Sequence, residues 1–240
     1  MSDEYNHKLE ISAFSLKIIA IVAMTFNHIA HAFYYSLPLY LLAPLYIAGG
    51  LTFPIMAYLM IEGYHKTSNL KKYMLRLLIF ALIAVFPFFL VFRVSVLNVL
   101  FTFILGLICL YLHDKMKNKA IFWLCFIGIV AVTLFCDWPL VGVPMILMFG
   151  LIKKPATRII LTTFISSLLM TALMFLTSEG WSTQLMLDIG FNIVILASIP
   201  LLFAYNGNRG YSPRSLRYLF YIYYPAHLFV IGGIAWLVQG

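Results

Sequence analysis

The sequence predicts an all-α, polytopic integral membrane protein with about nine transmembrane helices, N-terminus cytoplasmic and C-terminus outside. Three observations predict it. First, 63% of the 240 residues are apolar and only 10% are charged, with a mean hydropathy of +0.99. Soluble domains carry about 25% charged residues, and 10% cannot coat a 27.4 kDa globule. Second, long charge-free gaps recur along the chain and are apolar on every face. They read as helices, whose backbone polar groups are satisfied internally; barrel strands would be about ten residues of alternating polarity. Third, the cations alternate between the gaps in one consistent sense.

Each span follows from its gap. No Lys, Arg, Asp or Glu lies between Lys17 and Glu62, which is room for two helices broken at Ser36-Leu37-Pro38. The later gaps complete nine spans: 14–35, 39–61, 74–92, 95–112, 120–136, 138–152, 159–178, 185–205 and 218–238. The segment 138–152 is short and holds Pro139, Gly142 and Pro144, so a tilted, broken or re-entrant course is expected there. With the N-terminus inside, segments 1–13, 62–73, 113–119, 153–158 and 206–217, plus Lys17 and Arg76, hold fifteen of the sixteen Lys and Arg. Only Arg93 falls outside. One missed helix would scramble this alternation.

The net charge of +8 is thereby assigned to helix ends facing anionic membrane lipids, and no nucleic-acid partner is needed. Acidic residues Asp3, Glu4 and Glu10 argue against a cleaved signal peptide. Cys109, Cys125 and Cys136 show no C-x-x-C spacing and read as packing residues rather than metal ligands. No repeat or linker divides the chain, so residues 1–240 are one domain.

Polar groups retained in hydrocarbon need a reason. The first helix carries Thr25, Asn27, His28 and His31 near or above mid-membrane. His28 and His31 are three apart and share a face with Thr25. This is either a helix–helix hydrogen-bond cluster or a general base, since imidazole exchanges protons near neutral pH. The last helix carries Tyr223-Tyr224-Pro225-Ala226-His227. Pro225 frees a carbonyl four residues earlier, and chain order permits His227 to share a cavity with His28. On the cytoplasmic side lie Glu62-Gly63-Tyr64-His65-Lys66, then Lys71, Lys72 and Arg76, and also Asn206-Gly207-Asn208-Arg209-Gly210. Glycine allows close backbone approach and the cations suit phosphate, although no Walker or dinucleotide pattern is present. Asn98 and the Asp137-Trp138-Pro139 turn read as structural polar features.

These segments resemble the TraX family. The resemblance begins at Leu16-Lys17-Ile18-Ile19-Ala20, Met24 and Asn27-His28-Ile29. It continues through Phe53-Pro54-Ile55-Met56-Ala57-Tyr58, Glu62 to Thr67, Tyr73 and Arg76-Leu77-Leu78. It resumes at Asn98 to Thr102, Asp137, Gly142, Tyr205 to Gly210 and Tyr223 to Leu228. Two places depart from it: Asn27 stands where the family usually has Asp, and the stretch Ala84-Val85-Phe86-Pro87-Phe88 lacks the polar or acidic residue that relatives often carry before Ile-Pro-Phe.

That family is named for the membrane enzyme that N-acetylates pilin subunits of the F conjugative pilus. The resemblance implies acetyl transfer from acetyl-CoA, in the bacterial inner membrane, to an amine of a pilin or fimbrial subunit. It implies His28 as general base, Asn27 or Thr25 holding the ring, and His227 or Tyr224 donating to the oxyanion. His65, Lys66, Lys71, Lys72, Arg76 and Arg209 are the expected acetyl-CoA contacts, with no metal. An O-acyltransferase acting on envelope glycan and a non-catalytic assembly component are the competing readings.

Overall fold

The computed structural model describes residues 10–239, apart from the side chains of residues 214–217. Residues 1–9 of the first inside segment lie outside the described residues. The described chain forms α1 (Ala13–Ala32), α2 (Leu39–Ala48), α3 (Thr52–Lys66), α4 (Leu70–Ile83), α5 (Val85–Phe92) and α6 (Val99–Lys115). It continues with α7 (Lys119–Val132), α8 (Gly142–Leu151), α9 (Pro155–Thr177), α10 (Thr183–Phe203) and α11 (Arg214–Gln239). No strand occurs among the described residues; two isolated backbone bridges pair Ile11 with Tyr205 and Leu97 with Cys136.

Every segment expected to span is helical, but five helical stretches are long and apolar enough to cross a membrane. They are α1, the continuous stretch Leu39–Lys66 made of α2, a 3-10 turn and α3, then α9, α10 and Tyr218–Gln239 of α11. A sixth arises if α4 and α5, bent by 48°, count as one span. The gap-based count of nine exceeds this because absence of charge does not measure helix length. Residues 93–98 are not helical, α6 has 17 residues, and α8 has only 10.

The bend between α4 and α5 has a local cause. Pro87 supplies no N–H and its ring disfavours a continuous helix through Ile83. The break leaves carbonyls of the last turn of α4 without helical partners, and Asn98 meets one: its Nδ2 donates to Ala81 O at 2.8 Å. The same side chain caps α6, Oδ1 accepting from Leu100 N at 3.2 Å. Helix α8 tolerates its shortness because it is enclosed by α3, α6, α7 and α9. Its Val143, Met145, Ile146 and Phe149 are fully buried. By contrast α9 exposes Ile160, Phe164 and Leu168, an outer face suited to lipid tails.

The first turn of α1 is tied to the loop before α11. Ala13 N donates to Asn208 O at 2.9 Å and Phe14 N to Arg209 O at 3.1 Å. Orphan N–H groups of α1 are thus satisfied, and Arg209 is drawn beside the basic end of that helix.

The 3-10 turn Gly49–Leu51 lets α10 approach closely. A Cβ on Gly50 would stand 2.3 Å from the carbonyl oxygen of Phe191, a backbone atom that cannot rotate away. Gly50→Ala is expected to lower stability by about 1–3 kcal/mol. Gly128→Ala, with nothing within 4 Å, should leave it unchanged or raised. Thermal unfolding in detergent micelles checks the pair.

Candidate functional site

The chain's first and last helices meet through two imidazoles. His28 on α1 and His227 on α11 are buried, with 7% and 8% exposure. Their Nδ1 and Nε2 atoms are 2.7 Å apart. The rings lie within 10° of parallel, with centroids 4.9 Å apart, so they meet edge to edge through that bond.

The proton positions follow from the partners. His227 Nδ1 lies 2.7 Å from the carbonyl oxygen of Tyr223, which can only accept. His227 therefore carries its proton on Nδ1 and offers the Nε2 lone pair. His28 must then donate from Nδ1, which leaves its own Nε2 as an acceptor. That nitrogen has no hydrogen-bond partner among the described residues, and His28 lines a large cavity. A neutral imidazole, held by its other nitrogen and presenting a lone pair to open space, is the arrangement of a general base.

The other expected residues take distinct places. Tyr224 also lines the cavity; its hydroxyl is sealed from solvent, and no acceptor among the described residues takes its proton. His227 stands behind His28, both nitrogens engaged and outside the cavity lining. Of the two expected oxyanion donors, Tyr224 lines the cavity and His227 does not. Neither Thr25 nor Asn27 bonds the His28 ring, the role expected of them. Thr25 Oγ1 donates to Ile21 O at 2.8 Å and accepts from Tyr223 OH at 2.7 Å. The Tyr223 ring lies 4.8 Å from that of His227 and nearly parallel to it, so Thr25 supports the pair at one remove. Asn27 Nδ2 donates to Tyr46 O at 2.7 Å, joining α1 to α2.

The cavity has a volume of about 970 Å³. At one end it is lined by Lys17, Lys66, Lys72, Arg76 and Arg209, with Glu62 the single carboxylate among them. Lys66 is paired with Glu62 at 3.0 Å and reaches Gly207 O at 3.4 Å. The Nε of Arg76 is buried without a partner. His65 and Lys71, expected here, do not line the cavity; each points elsewhere around a helix whose neighbours Lys66 and Lys72 do. Arg214 and Arg217 carry side chains outside the described residues. From Lys17 to His28, eleven residues along α1, the axial rise is about 16 Å, and the wall between is apolar, with Ile21, Met24, Met56 and Phe103.

Sequence reasoning missed Lys17, Tyr46 and Asp188, which also line the cavity, and read Asp137 as merely structural. Asp188 carried a signal: a carboxylate inside an otherwise apolar helix. Tyr46 OH donates to Asp188 Oδ1 at 2.6 Å, and Gln184 Nε2 donates to the same oxygen at 2.8 Å. His31 packs its ring against Tyr46 and Phe92, at 4.8 and 4.7 Å.

Replacing Asn27 tests its clamp role. Asn27→Ala removes the bond that ties α1 to the Tyr46 carbonyl, which keeps only the Gly49 N–H, and Asn27→Asp sets an acceptor against an acceptor. Both are expected to cost about 1–3 kcal/mol of stability, read as a lowered unfolding midpoint in detergent.

The family described as TraX protein matches residues 12–235. A relative named probable fimbrial assembly protein FimC, serogroup H1, from Dichelobacter nodosus, is 31% identical over 244 aligned residues. The alignment covers 93% of this chain and 95% of that one. No solved structure matches. With a family match over nearly all its length, ending within five residues of its C-terminus, this membrane-helical chain belongs to the TraX family.

Proposed function

We propose that the chain is an acetyltransferase of pilus or fimbria biogenesis, moving an acetyl group from acetyl-CoA to an amine of a pilin or fimbrial subunit. The observation that carries the reading is the unpartnered Nε2 of His28 in a cavity whose other end holds five cations. The family and the fimbrial assembly relative support the biological setting. In this reading the nine apolar segments all cross or enter the bacterial inner membrane, with the N-terminus and the basic mouth in the cytoplasm, where acetyl-CoA is available.

The residues present fit such a donor. Lys17, Lys66, Lys72, Arg76 and Arg209 would meet its phosphates, and the apolar wall along α1 would accept its thin pantetheine arm. When bound, it supplies an activated acyl carbon. At that carbon the acceptor nitrogen forms the new C–N bond as the C–S bond breaks. His28 Nε2 takes the proton the nitrogen sheds and passes it to the departing sulfur. His227 holds the tautomer that makes Nε2 the base. Tyr224 lines the cavity with its hydroxyl sealed and its proton unclaimed, and a turn of the ring would let it donate to the carbonyl oxygen as negative charge grows there.

Labelled acetyl-CoA added to membranes containing the pilin and glycan acceptors tests this. Transfer to a small protein is expected, and His28→Ala should reduce it by about 10²–10⁴-fold with expression intact. Unchanged transfer in that variant would remove the assignment; label in glycan would favour an O-acyltransferase. His227→Phe should cost roughly 10–100-fold, as loss of an orienting partner does. His227→Gln should recover part of it, because an amide oxygen can accept from His28 Nδ1. Arg76→Ala should raise KM for acetyl-CoA by about tenfold with kcat little changed, the loss of one charge-assisted phosphate contact worth about 1.4 kcal/mol.

A further inference from the structure

The bond between His28 and His227 lies close to the plane of both rings. The rings are within 10° of parallel, their centroids are 4.9 Å apart and the joined nitrogens 2.7 Å apart, so the N–H of one points at the lone pair of the other. A proton can cross such a bond without either ring turning. The pair thus has two ways to hold one added proton: as an imidazolium on His28, or as one on His227.

The two rings are not equally prepared for that charge. On His28 an imidazolium would hydrogen-bond through Nδ1 alone, since Nε2 meets no acceptor among the described residues. On His227 both N–H groups are met: Nδ1–H by the carbonyl oxygen of Tyr223 at 2.7 Å, and Nε2–H by the freed lone pair of His28 Nδ1. The Tyr223 ring lies within 9° of parallel to His227, with centroids 4.8 Å apart, near enough for its π face to attract a cation. The hydroxyl of Tyr223 is held by Thr25 at 2.7 Å, which fixes the ring in that place. Around His28, by contrast, Phe92 and Tyr224 stand steeply to the imidazole, at 5.2 and 6.4 Å.

The surroundings supply no competing charge. His31 on α1 shares Phe92 with His28, and α5, packed against both helices, carries no titratable side chain. The titratable groups of α4 end at Arg76, beside Tyr221, and Asp137 lies within electrostatic reach of Tyr224. No carboxylate or cation forms an ion pair with either ring among the described residues. A charge in a low-dielectric interior settles where its donors are satisfied.

We infer that His227 is a proton-relay residue: a proton taken at His28 Nε2 displaces the one on His28 Nδ1 across the shared bond to His227 Nε2, and the positive charge comes to rest on His227. The N–H of the acceptor and the Nδ1–H of His28 break, while Nε2–H forms on His28 and on His227. His28 stays neutral but exchanges tautomers, so the nitrogen that faced the cavity as a base now faces it as an N–H donor. When that proton leaves for the departing sulfur, His227 returns its own and the starting state is restored. The inference rests on the acetyl-transfer reading for the source and destination of the proton. In His227→Gln the amide oxygen can fix the tautomer of His28 but cannot take its proton, so the charge is stranded on His28.

The test reads proton positions by NMR of isotope-labelled histidine ring nitrogens, in the full-length protein in phosphatidylcholine–phosphatidylglycerol nanodiscs without acetyl-CoA. A coupling across the N–H···N bond singles out the pair, and its two nitrogens are told apart because one is Nδ1 and the other Nε2. In the neutral protein the bonding proton is expected on His28 Nδ1. On acidification, wild type should show both nitrogens of His227 protonated, with His28 carrying one proton, on Nε2. In His227→Gln both nitrogens of His28 should be protonated instead. Wild type with His28 as the doubly protonated ring would overturn the inference, as would a pair that stays neutral down to the pH of unfolding. The charge found on His227, together with no acetyl transfer in membranes, would keep the relay and sink the acetyl-transfer reading alone. Transfer with the charge on His28 would do the reverse.

Discussion

The hydrogen bond between His28 and His227 is the interaction on which the rest of the site depends. It joins the first helix of the chain to the last, in a place where water cannot substitute for a lost partner. Because Tyr223 O accepts from His227 Nδ1, the protons of both rings are ordered by a single backbone carbonyl. The pair therefore has one open valence, His28 Nε2, and it is directed into the cavity. Thr25 and Tyr223 brace the outer ring, while Phe92 packs edge-on against the inner one at 5.2 Å. Polar networks in a low-dielectric interior are stabilising when every member is satisfied. Here the one ring nitrogen of the pair without a protein partner is the atom to which the proposed function gives the role of base.

The same requirement of polar satisfaction explains residues that look functional but serve architecture. Asn98 sits at depth in an apolar segment, yet both ends of its amide are used, one on the carbonyl exposed by the break before α5 and one on the N-terminus of α6. Ser167 on α9 donates to the backbone carbonyl of Asn192 on α10 at 2.9 Å. Thr163 and Ser198 return their hydroxyls to carbonyls of their own helices. Small and hydroxylated residues let membrane helices approach and bond in this way. Their presence marks packing seams.

How much of this was legible in the sequence divides along a physical line. Helical class, membrane character and the location of each apolar segment depend on composition and contiguity, which a linear chain displays. The two histidines were legible as anomalies, because imidazole in hydrocarbon demands a partner. Their partnership was not, since 199 residues separate them and only packing brings α1 against α11. The number of spans was legible only coarsely: a charge-free gap cannot tell a helix that crosses from one such as α8, enclosed by its neighbours. Asp188 was legible as a carboxylate inside an apolar helix, but its partner Tyr46 was not, since 142 residues separate them and only packing joins α10 to α2.

Asn27 bears on whether the family's chemistry survives here. An Asp at this position, adjacent in sequence to the histidine, invites the reading of an orienting carboxylate, and its replacement by an amide invites the reading of a lost site. The fold separates the two side chains. Adjacent residues on a helix point about 100° apart, so His28 turns to α11 while Asn27, which also lines the cavity, turns its amide to α2. There its amide donates to Tyr46 O and its side chain fills the space against Gly49, where a Cβ would come within 2.5 Å of it. The group that orients His28 is His227, which is present. Position 27 therefore belongs to a helix junction, bonded directly to Tyr46 and through it one step from Asp188, and His28 keeps its bond to His227 whatever stands there.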